Sequence, residues 1–272
     1  MPYEVLTFER VGQVALVTLN RPDMLNAMNK ALQEDTRAAC AEVEADDSLR
    51  AMVLTGAGRA FCAGADLGGG VSARAEDNDT PPATAPQADR LDEYGWIGRQ
   101  AIAVYRMTKP TIAAVNGPAV GAGMSLSLAC DLRVGTPLTR MRTTFIERNL
   151  SPDSGMSWFL PRIIGYSKAV DLMFTSRDIY GEEAHALGIL DRFVPADRLI
   201  EESMALAEQI AKWPPLAMRS AKRTIQRNLM VDLEVALRNE TVGHVYSRRA
   251  PKDAAESRLS FFERRPPKFT GE

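Results

Sequence analysis

KPTIAAVNGPAVGAGMSLSLACD, Lys109–Asp131, is the stretch whose reading decides the fold. The run Thr111–Val115 is apolar or β-branched and predicts a buried strand. A glycine-broken loop, Gly117–Gly123, follows, and a helix is expected to open at Met124–Ser125. Small residues feeding a helix start leave backbone N–H groups unpaired and aimed at whatever approaches. Such a place suits an anion, or an oxygen that gains negative charge during a reaction. A second element of the same kind, GAGRAFCAGADL at Gly56–Leu67, follows the apolar strand Arg50–Thr55. Two such loops can give one N–H apiece to a shared oxyanion hole. Ordinary strand-to-helix turns are the competing reading.

Outward from these loops, the chain starts as a hairpin, Glu4–Arg10 and Val14–Asn20, turning at Val11–Gly12. Met28–Glu44 has helical spacing through Leu32, Thr36, Ala39 and Val43. Gly68–Arg90 is rich in Gly, Pro, Ala and Asp and is expected to be a mobile loop, serving as a lid, as an acyl-chain wall or as a surface insertion. Leu91–Met107 and Ser154–Ile164 read as helices, with a strand at Asp131–Gly135. Strands alternating with helices predict an α/β core of parallel units. From Arg198 onward the pattern is helical, broken at Trp213-Pro214-Pro215. The division expected is an α/β core over 1–195 and a helical C-terminal region over 196–272.

Bulk properties exclude several classes. At 272 residues the chain can bury a substantial core, and its net charge of −2 gives no overall basic footprint for nucleic acid. No apolar run is as long as a membrane span, and MPYEVLTFER lacks the regions of a signal peptide, so a cytoplasmic protein is expected. Cys40, Cys62 and Cys130 are far apart and read as reduced, packed thiols. His185 and His244 have no partners at ligand spacing, so no metal site is expected. GAGMSL lacks the third glycine of a dinucleotide fingerprint, and no GxxxxGK occurs.

AFCAGADL and KPTIAAVNGPAVGAG resemble the paired signatures of the crotonase superfamily, the enoyl-CoA hydratase/isomerase enzymes. The likeness extends from LVTLNRPDMLNAM (Leu16–Met28) through LPRIIGYSKAVDLMFTSRDIYGEEAHALGIL (Leu160–Leu190) to FFERRPPKF (Phe261–Phe269). The resemblance implies an α/β spiral of β-β-α units whose C-terminal helices pack subunits into a homo-trimer or hexamer. It implies an acyl-CoA thioester substrate with no separate cofactor, coenzyme A entering as part of the substrate. The thioester carbonyl would meet the N–H groups of Ala65 and Ala122. Ala63, Gly64, Asp66, Leu67 and Gly123 would contact the acyl-CoA substrate beside the hole, with Asp66 also suited to capping local backbone.

The acid/base positions depart from the hydratase pattern. Where hydratases of this family carry two glutamates, this chain has Ser125 and Phe145. Glu147 lies two residues on, with an ion pair to Arg148 as its competing role. Asp153, in LSPDSGMSWFLPR, matches a catalytic aspartate of dienoyl-CoA isomerases, a chlorobenzoyl-CoA dehalogenase and phenylacetate-pathway isomerases, the last being most similar in this segment. Following Pro152 and preceding a helix, Asp153 also reads as an N-cap. Phe145 and Trp158 would line the acyl pocket, or pack in the core. Arg264 in FFERR would approach the phosphates of coenzyme A on a neighbouring subunit. The implied activity is a double-bond shift with Asp153 shuttling one proton. Hydration stands second and non-catalytic acyl-CoA binding third.

Overall fold

The computed structural model describes residues 3–66, 84 and 86–272. Its framework is a six-stranded sheet ordered β1-β2-β3-β4-β6-β9. These strands are β1 (Leu6–Val11), β2 (Val14–Leu19), β3 (Ala51–Gly56), β4 (Thr111–Val115), β6 (Leu132–Gly135) and β9 (Arg192–Phe193). Only the β1–β2 hairpin is antiparallel; the other neighbours pair in parallel. Parallel neighbours need crossovers, and α1 (Lys30–Ala45), N-capped by the Asn29 side chain on Leu32 N–H, supplies the first. A second sheet of three short strands, β5 (Pro118–Val120), β7 (Arg140–Arg142) and β8 (Ile179–Tyr180), lies beside it in the order β5-β7-β8.

The chain alternates between the two sheets. It leaves the large sheet at β4, adds β5 to the small one, passes through α3 (Ala122–Ala129) and returns at β6. Then β7 joins β5 before α4 (Met156–Ile164) and α5 (Tyr166–Thr175). These are successive turns of the expected β-β-α spiral. The helix predicted at Met124 opens earlier, at Ala122, because Gly121 takes φ +51° and turns the chain directly from β5 into the helix. The loop expected over 117–123 therefore contains a strand.

β3 and β4 are buried along their whole length because both sheet faces are covered. On one face Met52, Leu54, Ala113 and Val115 join the main core with α1, α3, α4 and α2 (Gly95–Tyr105). On the other, Val53, Ile112 and Ala114 pack under α7 (Leu199–Ala211) through Leu199, Leu206 and Ala207. The first helix beyond residue 195 thus packs on the sheet. The strand pattern ends at β9, but the second layer of the core does not.

Beyond α7 come α8 (Pro215–Asn228), α9 (Leu233–Ser247) and α10 (Pro251–Glu263), α6 being the short helix Gly181–Ala186. Polar contacts tie α8 to the core: Arg219 to Glu44 (2.6 Å), Lys222 to Asp131 (2.6 Å) and Gln226 to the Tyr105 carbonyl (2.9 Å). The tail is held in turn by Asp253, whose carboxylate accepts Thr270 N–H and Gly271 N–H. Of the loop expected over Gly68–Arg90, residues 68–83 and 85 lie outside the described residues, and Gln87–Arg90 forms one helical turn. The helix read from Leu91 begins instead at Gly95.

Candidate active site

The two small-residue loops meet backbone to backbone. Phe61 and Cys62 N–H both donate to the Pro118 carbonyl at 3.0 Å, and Val120 N–H donates to the Cys62 carbonyl at 3.0 Å. A Cβ on Gly123 would lie 2.1 Å from the Cys62 carbonyl oxygen. On Gly64, whose φ is +94°, it would lie 2.7 Å from the Val120 carbonyl and 3.8 Å from the Ala122 nitrogen. Glycine at both positions is what lets the loops close on one another.

Their geometry sets N–H groups of both loops apart. Met28 N–H donates to Gly64 O (2.7 Å) and Asp66 N–H to Met28 O (2.9 Å), forming a single parallel bridge at Ala65. Alternation along the chain turns the N–H of Ala65 away from Met28, and among the described residues it has no backbone acceptor. Ala122 opens α3 without a side-chain cap, and the first N–H to reach back is that of Ser125, to Gly121 O at 3.0 Å. Ala122, Gly123 and Met124 therefore present N–H groups with no backbone acceptor among the described residues, as expected of a helix's first turn.

Side chains whose role was not legible in the sequence hold this arrangement. Asn26, fully buried, accepts Arg21 N–H (2.8 Å) and donates to the carbonyls of Ala57 (2.9 Å) and Ala60 (2.8 Å). Asn116 donates to the carbonyls of Gly56 (2.9 Å) and Gly58 (3.0 Å). Asp66, read as a substrate contact or a backbone cap, pairs with Arg21 at 2.8 Å. Ala63 N–H is likewise engaged, by Leu25 O at 3.0 Å. The one available signal was a polar residue embedded in an apolar motif, as in LNAM and AVNGP. Leu67 lies outside the described residues.

Asp153 reaches this region through its backbone. The Ser125 Oγ, on the first turn of α3, lies 3.3 Å from both Gly121 O and Asp153 O. The N-cap expected at Asp153 falls elsewhere: α4 is capped by Gly155 (φ +82°), with no side-chain cap bond. Ser154 (φ +52°) also takes the left-handed conformation, so two reversed residues separate Asp153 from the helix. Its carbonyl accepts Met156 N–H at 2.9 Å.

The other candidates are placed as follows. Ser125 is 0% and Phe145 4% exposed, the latter within the main core. Glu147 is bonded to Arg142, its Nε at 2.9 Å, so the partner is Arg142 and not Arg148. A Ser176 hydroxyl bond and then the Arg142 guanidinium hold its carboxyl below the usual 4.5, which makes it a poor base. Trp158 stands edge-on to Tyr105 (5.2 Å) and Phe159 (5.1 Å), with the Arg162 guanidinium 4.2 Å over its ring. Arg264 is exposed at the C-terminus of α10 and has no ion pair among the described residues; its neighbour Arg265 pairs with Glu256 (2.5 Å) and Glu263 (2.6 Å). The three cysteines are buried and free, and burial pushes each thiol up to about 12, so they stay protonated. Among the described residues, no group of three or more His, Cys, Asp or Glu side chains is placed to hold a metal ion.

Residues 9–272 match the family model described as enoyl-CoA hydratase/isomerase. The chain is similar to the Mycobacterium bovis protein named "Probable enoyl-CoA hydratase echA12", with 35% identity over 95% of this chain and 90% of that one. Among solved structures it resembles an enoyl-CoA hydratase from Bacillus anthracis, with 31% identity, a TM-score of 0.87, and coverage of 99% of this chain and 100% of that one. It also resembles a protein from Mycobacterium abscessus titled a probable enoyl-CoA hydratase/isomerase, with 33% identity, a TM-score of 0.86, and coverage of 99% and 100%.

Proposed function

The chain belongs to the enoyl-CoA hydratase/isomerase family, and we propose that within it this protein shifts a double bond along an enoyl-CoA thioester. The thioester carbonyl accepts the N–H groups of Ala65 and Ala122. As the C2–H bond of a 3-enoyl-CoA breaks, negative charge moves onto that oxygen, and the two preorganised donors stabilise the dienolate. One such donor is typically worth about 2.7–4 kcal/mol of the barrier. Asp153 takes the C2 proton and returns it at C4, giving the 2-enoyl-CoA with no net redox change and no water consumed. Coenzyme A enters with the substrate, so no separate cofactor takes part.

The observation that carries this reading is the occupancy of the acid/base positions. Where the hydratase pattern has glutamates, the chain has a buried Ser125 and a core Phe145, and the nearby Glu147 is tied to Arg142. Asp153 is the carboxylate whose backbone is joined to the first turn of the loop helix. The relatives are named hydratases, which makes hydration the second reading.

Further parts of the proposal concern setting. The protein is a homo-trimer or hexamer, supported by exposed apolar side chains on the C-terminal helices such as Leu233, Phe261 and Phe262. Arg264 then meets the phosphates of coenzyme A bound by a neighbouring subunit. Among the described residues no helix is long and apolar enough to cross a membrane. With its buried free thiols and a net charge of −2, the protein is read as cytoplasmic and not a nucleic-acid binder.

The test incubates a 3-enoyl-CoA and a 2-enoyl-CoA with enzyme in oxygen-18 water, with Asp153→Asn run in parallel. Mass spectrometry is expected to show the 3-enoyl ester converted to the 2-enoyl ester without label, and the variant inactive. Labelled 3-hydroxyacyl-CoA formed from the 2-enoyl ester would establish hydration instead.

A further inference from the structure

A hydroxyl carries one proton, yet the Ser125 Oγ sits 3.3 Å from two carbonyl oxygens that belong to the two halves of the site. One is the carbonyl of Gly121. The Gly121 carbonyl and the Ala122 N–H belong to the same peptide unit, and that unit is planar. Whatever fixes the oxygen therefore fixes the direction of the N–H. The Ser125 N–H already holds this oxygen at 3.0 Å, and the hydroxyl adds a second donor on the same side. Hydrogen bonds to a peptide oxygen also polarise its N–H, strengthening it as a donor.

The other carbonyl is that of Asp153, just before the left-handed pair Ser154 and Gly155. Left-handed backbone at a non-glycine residue persists only where its surroundings hold it. Ser125 is 0% exposed, so no water competes for its hydroxyl. With Ala in its place, both carbonyls would lose this donor in a buried setting.

We propose that Ser125 is a positioning residue that couples the oxyanion hole to the base, its hydroxyl orienting the Gly121–Ala122 peptide and holding the Asp153 backbone. The inference rests on the isomerase reading above and assigns a use to a residue standing where a hydratase would carry a carboxylate.

The experiment follows a saturated acyl-CoA with a carbon-13 thioester carbonyl, bound to enzyme, by difference infrared spectroscopy, alongside kcat and KM for a 3-enoyl-CoA. Ser125→Ala and Ser125→Cys are compared with the parent, all checked for folding by circular dichroism. In the parent the bound carbonyl stretch is expected to move to lower frequency. Ser125→Ala is expected to lose much of that displacement and about tenfold in kcat, with KM changed less than about twofold. Ser125→Cys, which keeps a weak donor, is expected to fall between them. A folded Ser125→Ala with an unchanged carbonyl stretch and kcat overturns the positioning role. So does a lowered melting temperature with an unchanged stretch, because that is packing alone. If the parent shows no displacement, the thioester is not held in this hole, and the functional reading fails before Ser125 is in question.

Discussion

Around Gly64 and Gly123 the closest contacts are backbone on backbone and are completed within one chain, whereas along α8–α10 large apolar side chains point outward. At the loops, Cys62, Pro118 and Val120 exchange main-chain hydrogen bonds, and Asn26, Asn116 and the Arg21–Asp66 pair occupy the polar groups behind them. On the C-terminal helices Leu233 is 69%, Phe261 78% and Phe262 80% exposed. There the polar side chains do the holding, Arg219 and Lys222 on the core and Asp253 on the tail. The first region closes on itself and leaves only the N–H groups at Ala65 and the start of α3 without a backbone acceptor among the described residues. The second leaves large apolar side chains uncovered, with Phe261 and Phe262 edge to face at 5.9 Å.

The difference can be broken most severely at Gly123. A methyl there meets the Cys62 carbonyl oxygen at 2.1 Å, a backbone atom that cannot swing aside. Gly123→Ala is expected to destabilise the protein by about 1–3 kcal/mol in urea unfolding. It should also lower kcat by about a hundredfold as the loops part. Full activity in this variant would mean that the loops do not jointly form the site.

On the other side, Phe261→Ser combined with Phe262→Ser tests whether the helices wait for a partner. Unfolding of the single chain should change by less than about 0.5 kcal/mol, since exposed positions carry little of its stability. Sedimentation should show the oligomer replaced by monomer. An unaltered assembly would remove this surface from the interface.

The smallest effect expected is an acid-dependent loosening of the tail. Bonds from Arg265 and from the Lys268 N–H hold the Glu256 carboxyl at about 2, below its ordinary 4.5. A carboxyl whose folded value is depressed contributes stability above its unfolded value, and loses it as pH falls through the folded one. Amide exchange at Lys268 should therefore accelerate as pH drops from about 4.5 toward about 2, after correction for intrinsic rates. Glu256→Gln should flatten that dependence; an identical profile in the variant would assign the loosening to other groups.

Much of the fold could be read from local pattern. Thr111–Val115 is a strand because its five residues suit a sheet buried on both faces. The hairpin, the alternation of strand and helix and the break at Pro214-Pro215 are likewise local properties. The start of α3 was misplaced by two residues because Gly121's left-handed turn has no composition signal beyond the glycine itself. The cap at Asp153 was misassigned for a similar reason, since Ser154 is a non-glycine residue in a left-handed conformation that only its neighbours can impose. That α7 packs on the sheet was not legible, because helical periodicity shows an apolar face without showing what covers it.

The sequence by itself determined an α/β chain with two small-residue loops, each behind a buried strand, and no glutamate at either hydratase position. The loops and strands are properties of residue type and spacing, and the two glutamate positions are ones the family resemblance implies. Tertiary structure alone decided that the two loops close on one another, that Arg21 occupies Asp66 and that Arg142 occupies Glu147. It alone brought the Ser125 hydroxyl within 3.3 Å of both the Gly121 and the Asp153 carbonyls, the latter 28 positions along the chain. Spacing along a chain specifies which way a side chain faces, but which distant backbone it meets depends on how the layers pack.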